Sequence, residues 1–344
     1  MGTMSVSSSQ TFGTPVAPDR PQGRQHLTRA GWRHVFSRDG TAIGWCRTDP
    51  PRRPVAPDRT AVVLCNGIAC SVGYWTPLAE RLGRDRPVVQ WDYRGHGISA
   101  VPDDVSAVTM ADMLDDLEAV LAAGGVPGGV FVGHSFGVQV ALEAARRWPE
   151  RVDAIVAAAG SAGAPFPAGA TQPPFGVLNM LERFHTRRPN RVDRAWHRWW
   201  QSRAAHLAAR AIGGTSLAAP QQAMLEYYEH VSTRDVAMLL AMIRSMQSHD
   251  ARDVVQTLPV PLLALAGAAD RLTPLPIMSA LALHAPHGEL AVCHGGTHTL
   301  PAEHPDWVLD QLCPLLERID ASGTTPQALR HLATVDGCVI PRWR

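Results

Sequence analysis

The stretch that most limits what this chain can become is Val130 to Val152, VFVGHSFGVQVALEAARRWPERV. It begins as a β-type apolar run, passes through Gly133, Ser135 and Gly137, and continues as a helical period carrying Val138, Val140, Ala141, Ala144 and Ala145. A strand that turns so sharply into a helix leaves no room for a Cβ two positions to either side of the turning residue, and glycine meets that demand. The turn lifts Ser135 above the edge of a sheet and aims the N-terminus of the next helix at its hydroxyl. A serine hydroxyl is a weak nucleophile on its own; it becomes a useful one beside a base and preorganised backbone donors. The N–H of Phe136 is positioned as one such donor. The competing reading of the pattern is a tight turn with an idle serine.

The rest of the chain supplies the sheet this turn needs. From Trp32 onward short β-type runs alternate with helical periods, which predicts an α/β fold with a mostly parallel central sheet flanked by helices. RHVFSRDGTAIGWCR reads as a hairpin around Asp39 and Gly40, and TAVVLCNG, RPVVQWDY, GVFVGHS and VDAIVAAAG read as parallel strands. Between the second and third of these, Thr109 to Leu121 puts Met110, Met113, Leu114, Leu117, Val120 and Leu121 on one helical face, with Thr109 and Asp112 spaced as a capping box. After Ala162 the strand rhythm stops and resumes at PVPLLALAGAAD, which predicts a helical insertion. GELAVCHGG and the helix PDWVLDQLCPLLERI complete the layer. The expected organisation is a disordered tail over 1–28, a core over 29–162 and 257–321, a helical cap over 163–256 and a C-terminal extension over 322–344.

Composition removes several function classes. The 32 basic and 31 acidic residues nearly cancel, so no global field recruits nucleic acid. Every basic residue is arginine, and the absence of lysine excludes a Schiff-base lysine, a pyridoxal-phosphate site and a Walker-type phosphate loop. The six cysteines, Cys46, Cys65, Cys70, Cys293, Cys313 and Cys338, form no C-x-x-C pair and no zinc-ligand spacing. They read as reduced, buried thiols of a cytoplasmic protein, with a Cys65–Cys70 disulfide as the alternative. The first residues lack the apolar stretch of a signal peptide, and the longest apolar run, around Ala154 to Ala170, is broken by Gly and Pro and does not read as a membrane span.

Besides GHSFG, four pieces stand in a telling order: LCNGIACSVGYW, WDYRGHGIS, LLALAGAADRLTP and GGTHTLPAEHP. With them the chain, over roughly Trp32 to Ala321, resembles the α/β-hydrolase superfamily, as a serine esterase- or lipase-like member with a helical cap. The resemblance implies a catalytic Ser135, a general base at His298 after flexible Gly295 and Gly296, and Asp270 as the carboxylate that orients it. His294 and His304 are the other candidates for the base, with alternative readings as a packed ring and a helix N-terminal residue. Asp92 is expected to brace its loop with Arg94, and Asp250 and Asp253 to be solvated. Family members usually carry His-Gly where this chain has Asn66-Gly67; the oxyanion donors fall on the N–H groups of Ile68 and Phe136, and Asn66 either bonds within its loop or reaches the substrate.

The insertion holds Phe166, Phe175, Trp196, Trp199, Trp200, Tyr227 and Tyr228, with Met238, Met242 and Met246 at helical spacing. Two readings stay open: these residues line a substrate pocket, for which Trp199, Met238 and Met242 are the leading candidates beside Asn66, or they pack the cap onto the sheet. The segment Leu181 to Arg210 carries eight arginines against one Glu and one Asp, with tryptophans interleaved. It suits an anionic membrane surface, an anionic substrate group, or plain solvation.

The resemblance implies hydrolysis of a hydrophobic carboxylic ester through an acyl-enzyme, and the expected protein is a cytoplasmic monomer or homodimer. No metal or organic cofactor, nucleic acid or transmembrane segment is expected. Thioester hydrolysis or acyl transfer, carbon–carbon bond hydrolysis and perhydrolysis would use the same three residues. Epoxide hydrolysis and dehalogenation fit less well, because family members doing them carry aspartate where this chain has Ser135. A non-catalytic ligand-binding protein of the same fold is the reading from another class.

Overall fold

The structure is a computed structural model that describes residues 31–50, 59–70, 72–105, 108–164, 173–211, 213–217, 219 and 221–322. The expected N-terminal tail, Phe166, the side chain of Phe175, Cys338 and the C-terminal extension beyond Ser322 lie outside the described residues. The hairpin around Asp39 and Gly40 forms from β1 (Arg33–Phe36) and β2 (Ala42–Thr48), paired antiparallel with Val35 opposite Ile43. Then follow β3 (Val62–Cys65), α1 (Thr76–Leu82), β4 (Val88–Trp91), α2 (Met110–Gly124), β5 (Gly129–His134), α3 (Phe136–Arg147) and β6 (Val152–Ala158).

Between β6 and the next strand lie α4 (Pro173–Arg187), α5 (Pro189–Trp200), α6 (Arg203–Ala211), α7 (Gln221–Ser232), α8 (Val236–Ser248) and α9 (Arg252–Thr257). The chain closes with β7 (Leu262–Gly267), α10 (Leu275–His284), β8 (Gly288–Cys293), α11 (Leu300–Glu303) and α12 (Pro305–Ser322).

The eight strands form one sheet in the order β1-β2-β4-β3-β5-β6-β7-β8. β2 joins β4 antiparallel, and every pairing from β4 to β8 is parallel. Strands covered on both faces have no polar side, so β3, β5 and β7 are buried at every position, as their unbroken apolar runs require. Alternation divides them between two cores: Val63 and Phe131 pack with residues of α2 and α3, whereas Val62, Leu64, Val130 and Val132 pack with residues of α1 and α12.

Strand order also locates the site. β3 lies between β4 and β5, so the chain leaves β3 for one side of the sheet and β5 leads to the other. At such a switch the loops at the carboxyl ends of neighbouring strands diverge and open a crevice between them. The loop after β3 and the turn after β5 flank that crevice.

Local signals place the helices. Thr109 accepts from the Asp112 N–H at 3.3 Å while the Asp112 carboxylate accepts from the Thr109 N–H at 2.8 Å, so the capping box forms. Gly125 closes α2 at φ +61°, a left-handed position that glycine adopts without strain. Cys65 and Cys70 are free thiols in the core, not a disulfide, and burial pushes both up to about 12. Cys313 corrects the expectation of uniformly buried thiols: it lies exposed on α12.

Candidate active site

Ser135 occupies the junction of β5 and α3 with φ 53° and ψ −116°, a backbone conformation that costs a non-glycine residue on the order of 1–3 kcal/mol. The surroundings hold it there. The Ser135 N–H donates to the Ala158 carbonyl at 3.1 Å, and the Val138 N–H donates to the Ser135 carbonyl at 3.1 Å. A Cβ at Gly133 would collide with the backbone of Gly137 and Val138, and one at Gly137 with the carbonyls of Cys65 and Asn66. The two glycines therefore let the turn fold back against itself and against the loop after β3.

His298 reaches the serine from the loop between β8 and α11. Its Nε2 lies 3.1 Å from Ser135 Oγ, and its Nδ1 lies 3.0 Å from Asp270 Oδ2. An ionised carboxylate only accepts, so Nδ1 carries the proton and the lone pair of Nε2 faces the serine hydroxyl. Asp270 is itself fixed: its Oδ1 accepts from the N–H groups of Leu272 at 2.8 Å and Thr273 at 2.9 Å, and its Oδ2 accepts from the Thr273 hydroxyl at 2.6 Å. Burial pushes this carboxyl up, but the charge and hydrogen bond of His298 and the bonds from Thr273 outweigh it and hold the group below its usual range.

The backbone of His298 is tied on both sides. Its N–H donates to the Gly213 carbonyl, in the loop after α6, at 3.2 Å, and its carbonyl accepts from Nε2 of His134 at 2.8 Å. His134 stacks on Tyr74 with ring centroids 4.6 Å apart. Burial, helped by the neighbouring charge of His298, holds its pKa down at about 3, so the ring is neutral. Glu303 braces the same loop from α11: one carboxylate oxygen accepts from the Thr297 N–H at 2.8 Å, and the other from the Thr297 hydroxyl at 2.6 Å and the Ser216 N–H at 2.7 Å. Neither His134 nor Glu303 was singled out from the sequence. The available signals were weak: a histidine beside the serine within an apolar strand, and a glutamate following Leu300, Pro301 and Ala302.

The loop after β3 is held in the same way. Asn66 does not reach a substrate, which corrects one of the two readings of it. The side chain is 1 % exposed, its amide donates to the Trp91 carbonyl at 2.7 Å, and its oxygen accepts from Trp75 Nε1 at 2.6 Å. His96 donates from Nδ1 to the Arg94 carbonyl at 3.0 Å and accepts the Ala69 N–H at Nε2, also 3.0 Å. Burial lowers its pKa to about 4, with the charge of Arg234 acting the same way, so Nε2 keeps the lone pair this bond needs. Among the described residues the N–H groups of Ile68, in the loop after β3, and of Phe136, the residue that follows Ser135, meet no acceptor.

Other expectations need revision. Asp92 does brace its loop, accepting the Ile98 N–H at 3.1 Å, but Arg94 does not join it there: Arg94 forks onto Asp116 at 2.6 and 2.8 Å and reaches Asp39 at 2.9 Å, tying the loop to α2 and the hairpin. Asp250 and Asp253 are solvated and also paired, with Arg252 and Arg146. His294 is exposed, not packed. Met238 and Met242 are fully buried in the core that contains Tyr93 and Phe136, and Met238 lies against Gly95, so both pack α8 onto the sheet. Trp199 stands 48 % exposed on the outside of α5, while Trp196 and Trp200 turn inward against each other.

Comparison with known proteins follows the geometry. A family model described as the alpha/beta hydrolase fold matches residues 60–305. A protein of Yersinia enterocolitica whose name proposes a carbamate hydrolase, RutD, is 28% identical over 250 residues, covering 71% of this chain and 83% of its own. The pimeloyl-[acyl-carrier protein] methyl ester esterase of Xanthomonas campestris is 28% identical over 253 residues, covering 73% of this chain and 93% of its own. Among solved structures, an esterase from Exiguobacterium antarcticum superposes with TM-score 0.64 at 15% identity, covering 83% of this chain and 98% of that one. An enol-lactonase from Burkholderia xenovorans gives 0.63 at 16%, covering 83% and 100%. At such identities the structural likeness speaks to the fold.

Proposed function

The chain belongs to the α/β-hydrolase family, and within it we propose that the protein is a serine hydrolase of carboxylic esters, acting through an acyl-enzyme on Ser135, His298 and Asp270. The observation that carries this reading is the continuous hydrogen-bonded line from Asp270 Oδ2 through both ring nitrogens of His298 to Ser135 Oγ, with steps of 3.0 and 3.1 Å. Ser135 Oγ attacks the ester carbonyl as Nε2 of His298 takes its proton, and Asp270 stabilises the imidazolium that results. The carbonyl oxygen becomes an oxyanion, for which the N–H groups of Ile68 and Phe136 are the donors, reinforced by the positive end of α3. Collapse breaks the bond to the alcohol, which leaves with the proton from His298. Water, deprotonated by the same nitrogen, then releases the acid and restores the serine.

Two further observations support the class of substrate. The named relatives cover a carbamate and a methyl ester, both acyl carbonyls bearing a heteroatom leaving group. Ile68 and, from the insertion, Trp196, Trp200 and Tyr227 all pack against one buried cluster of Ala69, Val231 and Leu239, so apolar groups of the insertion gather at the loop that carries the proposed oxyanion donor, which favours a hydrophobic ester and a role for the insertion as a cap.

A fluorophosphonate probe tests the assignment. Wild type should label and should turn over short p-nitrophenyl esters; Ser135→Ala, with an unchanged circular dichroism spectrum, should do neither. A serine variant that still labels and hydrolyses would refute it. A matched panel of esters, carbamates and acyl thioesters then ranks the bond cleaved.

A further inference from the structure

Seven of the eight arginines of Leu181 to Arg210 lie in α4, α5 and α6, three consecutive helices, and the eighth, Arg188, caps the start of α5. Among the described residues none of the eight forms an ion pair, whereas ten arginines elsewhere in the chain do. Of the two carboxylates of the segment, Glu182 pairs with Arg244 outside it, and Asp193 lies 3.2 Å from His185 and pairs with none of the eight. A chain with net charge +1 thus concentrates unneutralised positive charge on one part of its surface.

Charge is half of the pattern. On an ordinary surface helix the large apolar residues point inward and the exposed face is polar. Here they share the exposed face with the arginines. On α4, Met180, Arg183, Phe184 and Arg187 follow the spacing i, i+3, i+4, i+7, with Met180 52% and Phe184 56% exposed. On α5, Arg191, Arg194, Arg198 and Trp199 make a second such stripe, and on α6, Arg203, Leu207 and Arg210 make a third, with Leu207 64% exposed. A single exposed apolar side chain needs no explanation, but four of the nine exposed large hydrophobics among the described residues, Met180, Phe184, Trp199 and Leu207, stand on these three helices interleaved with arginine.

We propose that this outer face of α4, α5 and α6 seats the protein on an anionic lipid surface. Guanidinium groups meet the phosphate headgroups while Phe184, Trp199 and Leu207 enter the boundary between headgroups and acyl chains, the arrangement of a basic amphipathic helix lying in a membrane plane. The attachment is peripheral: among the described residues no helix is long and apolar enough to cross a membrane.

Vesicle co-sedimentation of the full chain tests this without depending on turnover. Vesicles of phosphatidylcholine containing about one-third phosphatidylglycerol should bind the protein, pure phosphatidylcholine should bind it at least about tenfold less, and raising salt should weaken the binding because screening shortens the reach of surface charge. Arg191→Gln, Arg194→Gln and Arg198→Gln together should lower binding about tenfold or more while leaving hydrolysis of a water-soluble short-chain ester unchanged. Phe184→Ser with Leu207→Ser should lower it even at low salt. Failure to bind anionic vesicles, equal binding to zwitterionic ones, or indifference to the arginine substitutions overturns the proposal and returns the face to solvent or to an acidic protein partner.

Discussion

The backbone carbonyl of His298 accepts a hydrogen bond, 2.8 Å long, from the ring of His134, the residue immediately before Ser135. The proposed base and nucleophile are thereby joined twice: through the Nε2 to Oγ contact that would react, and through a bond that does not. The second connection fixes the distance of the first.

His134→Phe keeps a flat ring against Tyr74 but loses what Nε2 holds, the bond to the His298 carbonyl and the contact with the Tyr74 hydroxyl. The expected result is a fall in kcat of about tenfold with little change in KM, since a net intramolecular hydrogen bond is worth about 1 kcal/mol and this one acts on positioning rather than on binding. His134→Gln, which restores a donor, should recover part of the loss. Matching losses in both variants, or a loss expressed only in KM, would deny the positioning role.

Glu303 gathers donors from Thr297 and from Ser216 of the insertion. Replacement by Gln turns one acceptor oxygen into an NH2 that faces a donor, so a buried polar group is left unsatisfied at a cost of about 1–3 kcal/mol. Thermal unfolding should shift down accordingly, and kcat should fall as the loop carrying His298 loosens. Denaturation midpoints that match wild type would place the loop's support elsewhere.

Two buried neutral histidines give stability a pH dependence. Burial keeps His96 down at about 4 and His134 at about 3, whereas a histidine in the unfolded chain takes its proton near about 6.5. Below that value the unfolded chain binds protons the folded chain refuses. Stability is therefore full above about pH 6.5 and falls as the pH drops toward about 4, by up to about 1.4 kcal/mol per unit for each ring. Urea midpoints for wild type and His96→Gln at about pH 7.5 and about pH 5 measure this: the variant should start lower and lose less over the interval. Equal losses in the two proteins would mean that His96 titrates normally.

Gly137→Ala tests the steric logic of the turn. The added Cβ would meet the backbone of Cys65 and Asn66, which cannot move aside as a flexible side chain can. The turn after β5 and the loop after β3 must then separate, misplacing the N–H groups of Phe136 and Ile68 together. Activity should fall about a hundredfold or more, on the scale of losing one oxyanion donor, with unfolding at lower denaturant. Full activity would show that the junction has slack.

What the sequence revealed divides along physical lines. Gly133 and Gly137, the Thr109 and Asp112 cap and the strand runs are local: sterics and periodicity within a few residues determine them, and they are readable in a single chain. Asn66, Met238 and Met242 misled because burial decides whether a polar amide or a methionine serves substrate or core, and burial is set by distant partners such as Trp75, Trp91 and Gly95. His134 and Glu303 escaped notice for the same reason. Several of their partners are backbone groups, the His298 carbonyl and the amides of Thr297 and Ser216, which leave no mark on side-chain identity at the other end.

Asp270→Asn isolates the tautomer argument from the fold. The asparagine oxygen can still accept from Leu272 and Thr273, so the loop after β7 should hold its shape. Its NH2, however, faces His298 Nδ1, where the carboxylate now stands 3.0 Å away. A donor there requires Nδ1 to accept, which moves the ring proton to Nε2 and points an N–H at Ser135 in place of a lone pair. The serine then has no base. kcat should drop by about three to four orders of magnitude, the size seen when a triad carboxylate is made neutral, while KM and thermal stability change far less. Fluorophosphonate labelling should slow in proportion to kcat, because it needs the same proton transfer. A variant that retains more than about a tenth of wild-type kcat would mean that His298 holds its reactive tautomer without Asp270.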